Sequence, residues 1–150
     1  MAVLVAAALL LGGCAGLGLR TPTVSLADVR VIEAGLFEQR LGIKLRIINP
    51  NNDEIPVNGL TFEVDINGEP FAKGVSDRAL TVPRLGEAVL DVTAVTGVAG
   101  IIRQIQGLAR GNIDSISYRI KGRIITGTTS FGLDFDEMGR LEMPRAGQGR

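Results

Sequence analysis

The sequence predicts an all-β domain, an antiparallel sandwich of about seven strands with one short amphipathic helix. Three observations lead there. Apolar residues recur at every second position in segment after segment, as one face of a strand requires. Each segment ends in turn-forming residues at the spacing of an antiparallel domain rather than a doubly wound sheet. Only one stretch breaks into three- and four-residue spacing.

A short strand around Val29 to Ala34 opens the domain. Leu41, Ile43, Leu45 and Ile47 then alternate with Gly42, Lys44, Arg46 and Ile48, predicting a strand with one buried face. Leu60, Phe62, Val64 and Ile66 alternate with Thr61, Glu63 and Asp65, and Asn67-Gly68 follows. That dipeptide tolerates the two positive-φ positions of a tight I′ hairpin, so Phe71 to Val75 reads as the returning strand. The Val82-Pro83-Arg84-Leu85-Gly86 turn leads into Ala88, Leu90, Val92 and Ala94, with Pro83 marking an edge or strand end because it has no N–H to donate. Ile116, Tyr118, Ile120 and Ile124 alternate with Ser117, Arg119, Lys121 and Arg123. Thr129, Phe131, Leu133 and Phe135 form the last strand. One core is expected from Ile43, Leu45, Phe62, Val64, Leu90, Val92, Ile120, Phe131 and Leu133, since a one-residue slip of any strand would bury Lys44, Glu63 or Lys121.

Val98, Ile101, Ile102, Ile105, Leu108 and Ala109 make the helical stripe, between Thr96 as N-cap and Gly111 as C′ residue. Gly100 and Gly107 each weaken a helix by up to about 1 kcal/mol relative to alanine. The helix is therefore expected to depend on docking its apolar stripe against an end of the sandwich.

Ahead of the strands, the apolar run Ala2 to Leu11 meets Leu11-Gly12-Gly13-Cys14. An apolar segment, a small-residue cleavage site and a thiol in that order are the signature of a bacterial lipoprotein signal, although Lys or Arg is missing before the run. The expected organisation is a signal peptide over 1–13, lipid on Cys14, a tether over 14–24, a domain over 25–144 and a flexible tail over 145–150. Ala15-Gly16 follows the cysteine without an aspartate, which points to an outer-membrane lipoprotein facing the periplasm.

The chain has 16 basic and 16 acidic side chains, all after Leu19, so no bulk charge draws it to nucleic acid. Its single cysteine cannot close an intramolecular disulfide, and the fold must rest on packing. There is no histidine, which removes the commonest general base, the usual nucleophile pairs and nearly all zinc or copper sites. No catalytic residue, metal ligand or cofactor is assigned. Asp134, Asp136 and Glu137 form a dense acidic cluster, but the spacing is not that of an EF-hand loop and a solvated strand-end turn explains it better. Arg119, Lys121 and Arg123 share one strand face, a candidate contact for lipid phosphates or an acidic partner. The favoured alternative is a solvated outer face paired with Glu63 and Asp65 across strands.

Asn49-Pro50-Asn51, Ile55-Pro56-Val57, the Leu60 to Ile66 alternation, Asn67-Gly68, Ala72-Lys73-Gly74 and Leu80-Thr81-Val82-Pro83 together resemble the late-embryogenesis-abundant type 2 group, or water-stress and hypersensitive-response domain. The likeness runs over roughly residues 28 to 135. It implies an immunoglobulin-like or fibronectin-III-like sandwich with one helix, and a non-enzymatic protein linked to desiccation or other stress. The residues of the triplet themselves argue only a sharp strand end, through the fixed φ of proline and the turn tolerance of asparagine.

A lipid-anchored protective module touching membranes or protein clients is thus the leading expectation. A structural subunit that recruits its partner at an exposed strand edge, and a carrier of an apolar ligand gated by the helix at 97–110, are the alternatives.

Overall fold

A computed structural model describes residues 18–110, 115–127 and 131–142. Within them the strands are β1 (Thr23–Ala34), β2 (Glu38–Ile48), β3 (Ile55–Val57), β4 (Gly59–Ile66), β5 (Glu69–Ser76), β6 (Leu80–Val82), β7 (Glu87–Gly97), β8 (Ser115–Thr126) and β9 (Phe131–Glu142), and the helix α1 is Val98–Leu108. Seven strands form one antiparallel sheet in the order β1-β2-β7-β5-β4-β8-β9, and β3 pairs with β6 beside it.

The alternation seen in the sequence sets the register. Leu41, Ile43, Leu45 and Ile47 of β2 are all buried, and they stand opposite Ala94, Val92, Leu90 and Ala88 of β7. On the other side of β2, Val24 and Leu26 stand opposite Ile47 and Leu45. Of the expected core, Ile43, Leu45, Phe62, Val64, Leu90, Val92 and Ile120 are buried in one cluster and Leu133 packs against it. The Phe131 side chain lies outside the described residues.

The sheet is continuous where two separate sheets were expected, but its continuity is narrow. Between β5 and β7 only Lys73–Val95 and Gly74–Ala94 are paired. The sheet curls there, which brings β1 at one edge against β8 and β9 at the other. The Leu26 N–H donates to the Tyr118 hydroxyl across that closure, at 3.4 Å.

Glycines let aromatic rings lie on neighbouring backbone. Phe62 stands opposite Gly74 on β5 and Gly122 on β8, and Phe135 stands opposite Gly122. A Cβ on Gly74 would fall 2.6 Å from the Phe62 ring, and one on Gly122 would fall 2.7 Å from the Phe135 ring. At the Asn67-Gly68 turn both residues have positive φ, 52° and 82°, as the hairpin reading requires.

Several elements differ from the sequence expectation. β1 starts at Thr23 and β9 runs on to Glu142, so the Asp134–Glu137 cluster sits inside a strand and not in a strand-end turn. β3 and β6 were not anticipated, being only three residues each. Thr96 does not cap the helix: it is buried as the penultimate residue of β7, its Oγ1 has no hydrogen-bond partner among the described residues, and Gly97 holds the cap position. The first free helix N–H, on Val98, is instead taken by the Phe37 carbonyl at 3.1 Å. Gly111 lies outside the described residues.

The docking face of α1 also differs. Its buried residues are Gly100 and Gln104, one turn apart, while Ile102 and Ile105 are 48% and 60% exposed. The reason is what the helix meets. Gln104 Nε2 donates to the Ile66 carbonyl at 2.8 Å, and Gly100 lies close to the β5 backbone at Phe71. A strand end offers unpaired carbonyls and a narrow approach, which an amide and a glycine fit and isoleucines do not.

Candidate functional site

Three surfaces carry the unusual chemistry. The first is the outer sheet face that holds Arg119, Lys121 and Arg123 on β8. Each of these three has an acidic neighbour. Arg119 donates through Nε and Nη2 to both oxygens of Asp136, and Arg123 does the same to Asp134, at 2.6 and 3.0 Å. Lys121 lies 3.3 Å from Glu63 and 3.8 Å from Asp65. The pattern continues across β2 and β7 with Lys44 2.9 Å from Asp91 and Arg46 3.7 Å from Glu87. A shallow groove of about 1070 Å³ crosses the face between Val75, Val95 and Lys121. The stripe is thus one half of a charge lattice, and its attraction for an external anion is largely met within the sheet.

Hydrogen bonding from Arg119, with its charge and that of Lys121, holds the Asp136 carboxyl below the ordinary aspartate range, and Arg123 does the same for Asp134. Both carboxyls are exposed, so the effect on stability is small. Its sign follows from the lowered values: the contribution is present above the unfolded pKa and is lost as pH falls through the folded one, below about pH 4. In an NMR titration the Asp136 midpoint should lie below that of an unpaired aspartate and rise when Arg119→Gln is introduced. An unchanged midpoint would show that the pair does not persist in solution.

Strand alternation separates the acidic cluster. Asp134 and Asp136 stand opposite Arg123 and Lys121 on the outer face, while Glu137 stands opposite the buried Ile120. Among the described residues no group of three His, Cys, Asp or Glu side chains is placed to hold a metal ion. No helix among them is long and apolar enough to cross a membrane.

The second surface is the pole where the chain enters the domain. Asn49 and Asn51 are buried there. Asn49 Nδ2 donates to the carbonyls of Asp53 at 2.8 Å, Pro83 at 3.1 Å and Val82 at 3.4 Å. Its Oδ1 accepts from both the backbone N–H and Nδ2 of Asn51, each at 2.9 Å. Asn51 in turn clasps Arg20: Oδ1 accepts the Arg20 N–H at 2.7 Å and Nδ2 donates to its carbonyl at 2.9 Å. Proline between the two amides fixes the turn that points both inward. The triplet therefore does more than end a strand. It fastens the first described residues to the 83–86 loop, where Asn49 N–H also reaches the Gly86 carbonyl at 2.9 Å. Two amides flanking a proline were visible in the sequence, but the backbone groups of Arg20, Val82 and Pro83 that they bind lie more than thirty residues away.

The third surface is the opposite pole. β1 and β2 meet in a turn whose Leu36 and Phe37 are 90% and 85% exposed, beside the α1 N-terminus. Ile102 and Ile105 are exposed on α1, and Val31 is 63% exposed on β1. Sequence periodicity places these isoleucines on the docked stripe of the helix, and so does not foresee this apolar end. Cys14 lies outside the described residues.

Comparison with known proteins bears on the family. No curated protein matches the chain by sequence. Among solved structures, the solution structure of an Arabidopsis thaliana protein is 17% identical with a TM-score of 0.61, and the match covers 84% of each chain. That is a likeness of fold. A crystal structure of a protein from Archaeoglobus fulgidus is 15% identical with a TM-score of 0.47, over 80% of this chain and 98% of that one. The family model described as "Late embryogenesis abundant protein" matches residues 44–137, from mid-β2 through the charged strands to β9. The chain belongs to the late embryogenesis abundant family, of the LEA-2 type.

Proposed function

We propose that this is a lipid-anchored, non-enzymatic stress protein that shields partly unfolded envelope proteins by contact through its apolar pole. Family membership suggests a stress-related, non-catalytic role. The observation that carries the finer reading is the exposure of Leu36, Phe37, Ile102 and Ile105 at one end of a domain whose chain enters at the other. Apolar side chains gathered at one pole suit the apolar segments that a client exposes as it loses water or heats.

The arrangement of the poles favours a client over the anchoring membrane. If lipid sits on Cys14, the residues up to the clamped Arg20 span at most about 20 Å. The twelve residues of β1 then carry the chain roughly 35–40 Å further to the apolar turn. That turn would point into the aqueous space. The paired state of Arg119, Lys121 and Arg123 weighs in the same direction, since a lipid phosphate would have to displace a carboxylate already in place.

The test uses the native lipidated protein in zwitterionic vesicles with an aggregation-prone client, dried or heated over a series of molar ratios. Protection should rise with ratio without nucleotide, and Leu36→Ser with Phe37→Ser should lower it several-fold at an unchanged melting temperature. The same preparation, weighed intact, should lack residues 1–13 and carry acyl mass. Equal protection by the double variant, or none at any ratio, would refute the contact; an unmodified Cys14 would refute the anchor.

A further inference from the structure

We infer that the free edge of β1 pairs antiparallel with the same edge of a second copy of this chain, with the two-fold axis at Val29. The edge of β1 is protected over its first half. Pro22 precedes it, buried, the Leu26 N–H is taken by Tyr118, and the register slips at Ala27. Beyond that slip the ladder to β2 is regular and its far edge bare from Asp28 to Val31, before the register slips again at Ile32. Asp28 to Ala34 are all exposed, although Val29 and Val31 stand opposite the buried Ile43 and Leu41 of β2. An uncovered edge of β-branched residues, without proline or lysine, is a template for another strand.

Charge identifies the occupant. Asp28 and Arg30 stand opposite Lys44 and Gly42, two residues apart on β2, so both lie on the outer side of the sheet. Among the described residues neither forms an ion pair within the chain. A two-fold axis normal to the sheet keeps inner against inner only when paired residues are an even number apart. With the axis at Val29, Asp28 of each copy faces Arg30 of the other, and the two Val29 side chains meet on the inner side. With the axis at Arg30, the two guanidiniums face each other; at Val31, Glu33 is set against Val29. Only the first register gives two opposite-charge pairs and no charge against an apolar partner.

Cysteine cross-linking reads the register directly. In the full chain with Cys14→Ser, which removes the native thiol, Val29→Cys should form a disulfide-linked dimer on mild oxidation. The yield should exceed by about tenfold that of Val75→Cys, an exposed position on β5, and Val31→Cys should stay at the Val75 level. Adding Asp28→Arg to the Val29→Cys chain should remove the excess, and adding Arg30→Asp as well should restore it. Restoration by a double reversal answers for folding, because a disrupted strand would not recover. No excess at Val29, an excess at Val31 instead, or a cross-link indifferent to Asp28→Arg would overturn the pairing.

Discussion

Phe62→Ala should destabilise the domain by about 3–5 kcal/mol, read as the loss of unfolding free energy in urea at constant slope. Phe62 is buried at the centre of the curled sheet, with its ring on the Gly74 backbone and its register partner Gly122 across β8. Neither glycine has a side chain that could move into the space the ring leaves. The cavity should therefore remain open, which puts the cost toward the upper end of the range. A loss below about 1 kcal/mol would mean that the strand faces are misassigned, because an exposed phenylalanine on a sheet surface costs no more than that.

A comparable effect is expected from Asn49→Ala, about 3–5 kcal/mol by the same measurement. Here the loss is polar. The substitution leaves the carbonyls of Asp53, Val82 and Pro83 without their side-chain donor and removes the acceptor for two donors of Asn51. Each buried group left unsatisfied costs about 1–3 kcal/mol. Asn49→Asp should be no better, since it keeps the acceptor but places a carboxylate among three carbonyl oxygens. Hydrogen exchange should show the Arg20 and Asn51 amides losing protection first. Stability within about 0.5 kcal/mol of the unaltered chain would show that water can replace the amide.

What the sequence disclosed and what it hid divide along the range of the interactions. Period-two alternation is local, and it located β2, β4, β7 and β8 with their buried faces, and the Asn67-Gly68 turn with both positive φ values. β3 and β6 carry too few residues to show any period. The helix was legible as a helix, but its docking face was not, because hydropathy favoured Ile102 and Ile105 while the Ile66 carbonyl selected Gln104. Glu63 and Asp65 could be foreseen as partners of Lys121, since both strands were placed. Asp136 could not, because the apolar alternation stops at Phe135 and nothing local carries the strand past it. The Asn49–Asn51 clamp depends on Arg20 and the 82–83 backbone, which no local window contains.

The pairing of β2 with β7 sets the order in which the chain can fold. β4 with β5, and β8 with β9, are close in sequence and can zip as hairpins on the microsecond scale. β2 must instead find a strand some forty residues further on, after the intervening segment has been drawn into a loop whose closure costs entropy before any ladder bond repays it. The hairpin of β1 and β2 thus forms early but waits without a sheet to join, and Val29 to Phe37 are exposed throughout that wait. In a crowded compartment the interval before β7 arrives is when a newly made chain is most open to chaperones and to pairing with its neighbours.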